Sequence, residues 1–232
     1  FIAVIESCSF QAALGKAYKI LEYPSLYGER KLPPLQVFQK EELYFSLEEM
    51  IADLRMESLV DLSEDTPHPA ARYIYRVRGL SRETVAKFEL GYATASGLCA
   101  RRVIIPVYSS HSGDSRLVGA QARGTSPLQY PKYLNYGRMP TGGFPVSKML
   151  FNYRNCPGDS PLLMTEGPIC TMIATQYGYP EAVAIFGSTP SQIQLELLGW
   201  RHQEVLLALD ADKISSYPKI ISRLREIYPT LR

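Results

Sequence analysis

Two stretches, Leu162-Leu163-Met164-Thr165-Glu166-Gly167 and Val205-Leu206-Leu207-Ala208-Leu209-Asp210-Ala211-Asp212, decide how this chain is read. Each is a short apolar run that ends in acid. That is the pattern of a buried strand delivering carboxylates to its C-terminal end, where open α/β sheets place ligands. If the second strand stays extended, its two-residue period sets Asp210 and Asp212 on one side of the chain. Two such carboxylates repel unless a cation or a proton separates them. An all-oxygen donor set favours Mg²⁺ or Mn²⁺, and Mg²⁺ commonly keeps waters while using one or two protein carboxylates. Glu166 then either completes the shell or acts as a base beside it. The competing reading is that strand-end acids only cap the next helices and stay solvated. Two acid-tipped strands in one chain favour the metal site.

Outward from these strands the pattern alternates. Strands are expected at 162–166, 182–186 and 204–210, with helices at about 168–177, 190–198 and 216–227, which argues a parallel sheet with helical crossovers. Upstream the period changes. Arg102–Tyr108 and Leu117–Arg123 read as two strands of a hairpin around a polar turn at 109–115. A helix from Pro69 stops at Gly79, and Ser81 caps a second helix reaching about Phe88. A short amphipathic helix is expected over 45–54, followed by an acidic joint at 61–65. A first helix runs from about Ser9 to Leu21, and Pro24, Gly28, Pro33 and Pro34 mark a linker over 23–41.

With 232 residues and 46% hydrophobic content, the chain can bury one large core or two smaller ones. A net charge of +2 does not by itself argue for nucleic acid. No run of roughly 18–20 uncharged apolar residues is present, so no membrane partner is expected. The start, Phe1-Ile2-Ala3-Val4-Ile5-Glu6, lacks both Met and a basic leader and reads as the interior of a longer protein. Cys8, Cys99, Cys156 and Cys170 form no CxxC pair, so isolated thiols in a reducing cytoplasm are expected. His68, His111 and His202 read as surface or capping residues. Neither GxxxxGK[ST] nor GxSxG occurs.

Cationic and polar residues gather before the α/β stretch: Arg123, Lys132, Asn135, Arg138 and Lys148. Such side chains neutralise triphosphate or nucleic-acid backbone. Tyr130, Tyr133 and Tyr136 interleave with them, which suits base stacking and equally suits packing within a loop. Gly187-Ser188-Thr189-Pro190 sets a hydroxyl-rich cap at a helix start, a weak phosphate signal.

Taken together, these residues resemble the RNA polymerase domain of bacterial and phage DnaG-type DNA primases, whose catalytic part is a TOPRIM fold. Glu166-Gly167 is similar to the TOPRIM glutamate motif and Asp210-Ala211-Asp212 to its DxD motif, both shared with topoisomerases and nucleases. The part specific to primases is Pro131-Lys132-Tyr133-Leu134-Asn135, with Val118–Arg123 before it and Lys148–Asn152 after it. Blocks at 73–80, 88–92 and 102–106 resemble the family's basic N-terminal subdomain. The resemblance implies an α/β fold: a TOPRIM-type parallel sheet with flanking helices over 156–232, preceded by a small mixed α+β basic subdomain over 42–155. Residues 1–41 would be the helical tail and linker of an upstream zinc ribbon. Zinc itself would then lie outside this chain, and the C-terminus is expected to stop short of the family's later acids.

The implied activity is synthesis of short RNA primers from ribonucleoside triphosphates on single-stranded DNA, by two-metal nucleotidyl transfer. Glu166, Asp210 and Asp212 would hold Mg²⁺ or Mn²⁺. Lys148 would join them in catalysis, while Arg101, Arg102, Arg123, Lys132 and Asn135 contact nucleotide or template. A replicative helicase is the implied protein partner. Three positions depart from the family's pattern: Cys170 stands where another acid is common, Lys213-Ile214-Ser215 follows the DxD, and the chain ends at Arg232. A TOPRIM nuclease and a non-catalytic nucleic-acid-binding module of a mobile element are the alternatives.

Overall fold

The computed structural model of the chain describes residues 44–63, 65–110, 116–139, 143–158, 160–201 and 204–230. The helix expected from Ser9, the linker at 23–41, the centre of the turn at 109–115, His111 and His202 fall outside them. Two compact units divide between Pro145 and Val146. The division expected at 155/156 differs because Phe151 pairs with Ala184, exchanging N–H···O bonds of 2.9 and 3.3 Å, which ties residues 146–155 to the second unit. No described helix is long and apolar enough to cross a membrane.

The N-terminal unit carries an antiparallel meander in the order β1 (Met56–Ser58), β2 (Gly91–Ala93), β3 (Arg102–Tyr108), β4 (Leu117–Gly124) and β5 (Tyr133–Gly137). β3 and β4 form the expected hairpin, with Val103 opposite Arg123 and Ile105 opposite Gln121. No strand is expected from the sequence at β5, where the mix of tyrosines and cations equally suits a loop. Its Tyr133-Leu134-Asn135-Tyr136 core nevertheless pairs with β4, placing Asn135 opposite Gln121 and Tyr133 opposite Arg123. Ile104, Ala120, Ala122 and Leu134 point to the other face, where they pack with Phe45, Met50 and Leu54. Met50 and Leu54 come from α1 (Leu47–Leu54), which starts with a full capping box: Ser46 Oγ accepts the Glu49 N–H, and Glu49 accepts the Ser46 N–H. α2 (Pro69–Ala71) continues as a π-helical turn, Arg72–Val77, and α3 (Arg82–Lys87) begins at the Ser81 cap.

In the C-terminal unit, β6 (Leu162–Thr165) lies between β7 (Ala182–Ala184) and β8 (Val205–Ala208), parallel to both. A strand flanked on both edges and covered on both faces must be apolar throughout, as Leu162-Leu163-Met164 is. α4 (Pro168–Gln176), α5 (Gln192–Arg201) and α6 (Tyr217–Ile227) alternate with the strands as expected. Pro168 and Pro218 sit in first helical turns, where a missing N–H costs nothing. Leu162, Met164, Val183, Leu195, Leu198, Leu207, Ile220 and Leu224 form the main core, to which Tyr153 adds a buried hydroxyl that donates to the Leu197 carbonyl at 2.6 Å. Truncating Met164, fully buried on the central strand, is expected to cost about 2–5 kcal/mol. A lower urea midpoint for Met164→Ala, with an unchanged slope, checks it.

Candidate active site and cationic face

Glu166 follows the last residue of β6, and Asp210 lies two residues beyond the end of β8. Because Thr165 is opposite Ala208, parallel pairing brings both acids to the C-terminal edge of the sheet. Their contact is direct: the Asp210 N–H donates to Glu166 Oε1 at 3.2 Å. Beneath Glu166, the fully buried Thr165 hydroxyl donates to the Val183 carbonyl (3.1 Å) and shares a 2.8 Å hydrogen bond with Thr171 of α4. This ties the end of β6 to β7 and α4. Beneath Asp210, the buried Tyr217 hydroxyl accepts the Leu209 N–H at 3.0 Å. Burial pushes the Tyr217 pKa up, and the charges of Glu166 and Asp210 add to the shift, so this phenol stays protonated.

Asp212 is where the expectation of strand alternation fails. β8 ends at Ala208, and from Asp210 the backbone turns into a 3₁₀ helix, Ala211–Ser216, closed by the Lys213 N–H on the Asp210 carbonyl at 2.8 Å. Asp210 and Asp212 therefore do not share the side of an extended strand. The Asp212 carboxylate instead meets Lys213 Nζ at 2.6 Å, a bond that lowers the Asp212 pKa and raises that of Lys213. Among the described residues, no three Asp, Glu, His or Cys side chains converge closely enough to hold a metal ion. Glu166 feels the whole cluster. Its pKa is raised first by burial and further by Asp210 and Asp212, with the Asp210 N–H and Lys213 opposing.

The expected nucleotide and template residues divide between the units. Lys148 ends the short 3₁₀ turn Val146–Lys148 of the C-terminal unit. Arg101, Arg102, Arg123, Lys132 and Asn135 belong to the N-terminal unit. There the face opposite the Ile104–Ala122 core presents Gln121, Arg123, Tyr133 and Asn135 from β4 and β5. Arg123 is 6% exposed, its Nε donates to the Tyr73 hydroxyl at 2.7 Å, and its guanidinium lies 4.6 Å from the Tyr133 ring centroid. Arg78 Nε donates to the same hydroxyl at 2.8 Å. Among the described residues, the buried Arg123 Nη1 and Gln121 Oε1 find no hydrogen-bond partner. Arg102 is buried and donates to the Pro131 carbonyl at 2.8 Å, whereas Arg101 and Lys132 are exposed.

Sequence reading did not single out Tyr73, Arg78 or Gln121 for this face. A charge count finds the region. From Leu90 to Gly158 there are eight cations (Arg101, Arg102, Arg116, Arg123, Lys132, Arg138, Lys148 and Arg154) and one acid, Asp114. The overall charge of +2 conceals that segregation.

Because the folded pKa of Glu166 is raised, its stabilising effect is present at acid pH and is lost as pH rises through that value. In EDTA, Glu166→Gln is expected to melt above wild type at about pH 7 and together with it below about pH 4. Thermal melts across that range check the sign.

No protein-family model matches the chain, and no curated protein matches it. Solved structures do. The zinc-binding and RNA polymerase domains of the Aquifex aeolicus primase are similar with a TM-score of 0.63 at 22% identity, covering 93% of this chain and 59% of that one. A DnaG primase catalytic domain bound to single-stranded DNA gives 0.58 at 21% identity, covering 79% and 66%. A DNA primase domain from Pseudomonas aeruginosa gives 0.58 at 20%, covering 80% and 66%. The chain thus spans 59–66% of the length of these structures. A short parallel sheet that follows an antiparallel meander along the chain is the fold of the RNA polymerase domain of DnaG-type primases.

Proposed function

We propose that this chain is a primase catalytic core, joining ribonucleoside triphosphates into short RNA on a single-stranded DNA template. The observation that carries the reading is the Glu166–Asp210 contact at the C-terminal edge of β6 and β8, in a fold shared with primase catalytic domains. The donor chemistry fits a divalent ion. Glu166 and Asp210 supply an all-oxygen pair, enough for one hydrated Mg²⁺ or Mn²⁺, and Asp212 would join once Lys213 releases it. A divalent ion held there would neutralise charge on the nucleotide's α-phosphate, where the 3′-oxygen of the growing RNA bonds to phosphorus and pyrophosphate leaves.

The chain's own residues prepare that chemistry. Thr165 and Tyr217 fix the backbone from which Glu166 and Asp210 project. Lys213 pairs with Asp212, and its charge eases the repulsion that the other acids exert on Glu166. In the N-terminal unit the exposed Lys132 offers a mobile charge to phosphate, and the buried Arg123 adds its positive field from within the sheet. Arg101 and Asn135 would contact template on the same unit, and Lys148 would contact nucleotide phosphate on the other.

The test is synthesis. With single-stranded DNA, labelled ribonucleotides and Mg²⁺ or Mn²⁺, template-dependent oligoribonucleotides are expected, and Asp210→Ala and Glu166→Gln should lower their yield about 100-fold or more. DNA cleavage without synthesis would overturn the reading in favour of a nuclease, and neither product would leave a binding module. Binding can be followed apart from activity. Mn²⁺ should raise the melting temperature of the wild type in proportion to the logarithm of its concentration, and Asp210→Ala should abolish the rise.

A further inference from the structure

The loop Thr125–Lys132 joins β4 to β5 and is held by side chains of its own and of β3. Gln129 Oε1 accepts the Thr125 N–H at 2.7 Å and the Ser126 N–H at 3.2 Å, while its Nε2 donates to the Arg101 carbonyl at 2.9 Å. Arg102 Nη1 donates to the Pro131 carbonyl at 2.8 Å. The loop is thereby pinned to the start of β3. Its large side chains nevertheless point into water: Leu128 and Tyr130 are each 93% exposed. Leu98, in the loop that enters β3 at the same end of the sheet, is 84% exposed.

Single exposed hydrophobic residues are ordinary. Three at one end of a sheet, on loops held by hydrogen bonds and flanked by the exposed Arg101 and Lys132, are a surface. The three tyrosines of this region also part company. Tyr133 lies under the Arg123 guanidinium, and the Tyr136 hydroxyl donates to Asp53 at 2.8 Å, so both are engaged within the fold. Tyr130 alone of the three presents its ring to solvent.

We infer that this sheet end is a stacking platform for single-stranded nucleic acid: unpaired bases lie on Tyr130 and Leu128, with Leu98 beside them, and Arg101 and Lys132 hold the flanking phosphates. The inference rests on the template-binding reading above and adds to it the residues that grip bases. Charge selects the occupant. Between Leu90 and Pro145 the sequence has six cations and one acid, Asp114, so the partner is a polyanion. The apolar tips select single strands, because a duplex already covers its base faces by stacking and pairing, while every unpaired base offers one.

The experiment is anisotropy with labelled oligothymidylate on the whole chain, repeated over a salt series. Tyr130→Ala is expected to weaken binding about 5- to 100-fold while leaving the salt slope unchanged, since a stack and no phosphate contact is lost. Tyr130→Trp should restore affinity, and Lys132→Ala should flatten the slope by about one unit. An oligomer of abasic sites should bind wild type and Tyr130→Ala alike. Salt-dependent binding by wild type that is unaltered in both Tyr130→Ala and Leu128→Ser overturns the platform and leaves the template-binding reading intact. That outcome would point to a protein on this surface. No binding of oligothymidylate by wild type overturns both.

Discussion

Everything at the acid edge depends on where β6 sits. A strand with a parallel neighbour on each side, and apolar packing on both faces, can offer chemistry only at its end. Glu166 occupies that end. Its carboxylate is oriented because the backbone N–H of Asp210, delivered by the adjacent strand, donates to it. The buried Thr165–Thr171 hydrogen bond and the Tyr217–Leu209 bond do the same work one layer below. None of these residues needs to move to create the arrangement. It is a by-product of closing the core.

The α/β half was legible because each of its elements carries one dominant signal. Leu162-Leu163-Met164 and Val205-Leu206-Leu207 could be only buried strands, and the prolines at 168 and 218 start helices where expected. The ends were not legible. Strand alternation placed Asp212 beside Asp210, but a two-residue period holds only while the chain stays extended. Lys213 closes a 3₁₀ turn that the apolar pattern does not announce. β5 was hidden for a different reason: five residues between turn-forming neighbours look like loop until the register with β4 is known. The same register reveals the Gln121–Asn135 and Arg123–Tyr133 pairs, and cross-strand partners are a property of pairing that no local window contains. Tyr73 was beyond reach for the same reason, fifty residues upstream of the guanidinium that it anchors.

The two units divide the chemistry by charge. Glu166 and Asp210 meet at the edge of the C-terminal sheet, while the meander of the N-terminal unit carries no acid on β3, β4 or β5. Such separation is costly for folding, since like charges are held together on each side. The cost is moderated locally. Lys213 answers Asp212, and the aromatic rings of Tyr73 and Tyr133 answer Arg123 through their faces and a shared hydroxyl. Rings are useful here because they stabilise a guanidinium without neutralising it. A carboxylate in their place would silence the charge toward any outside anion.

Arg123 has a thermodynamic consequence of its own. Its side chain is already immobilised between Tyr73 and Tyr133, so the field it projects requires no further ordering of the protein. Lys132 is exposed, and freezing such a chain forfeits up to roughly 2 kcal/mol of rotamer entropy. Two cations of equal charge therefore give an approaching anion different returns, because only Lys132 still has rotamer entropy to lose. Rigidity acquired in folding, and not charge alone, separates the two side chains.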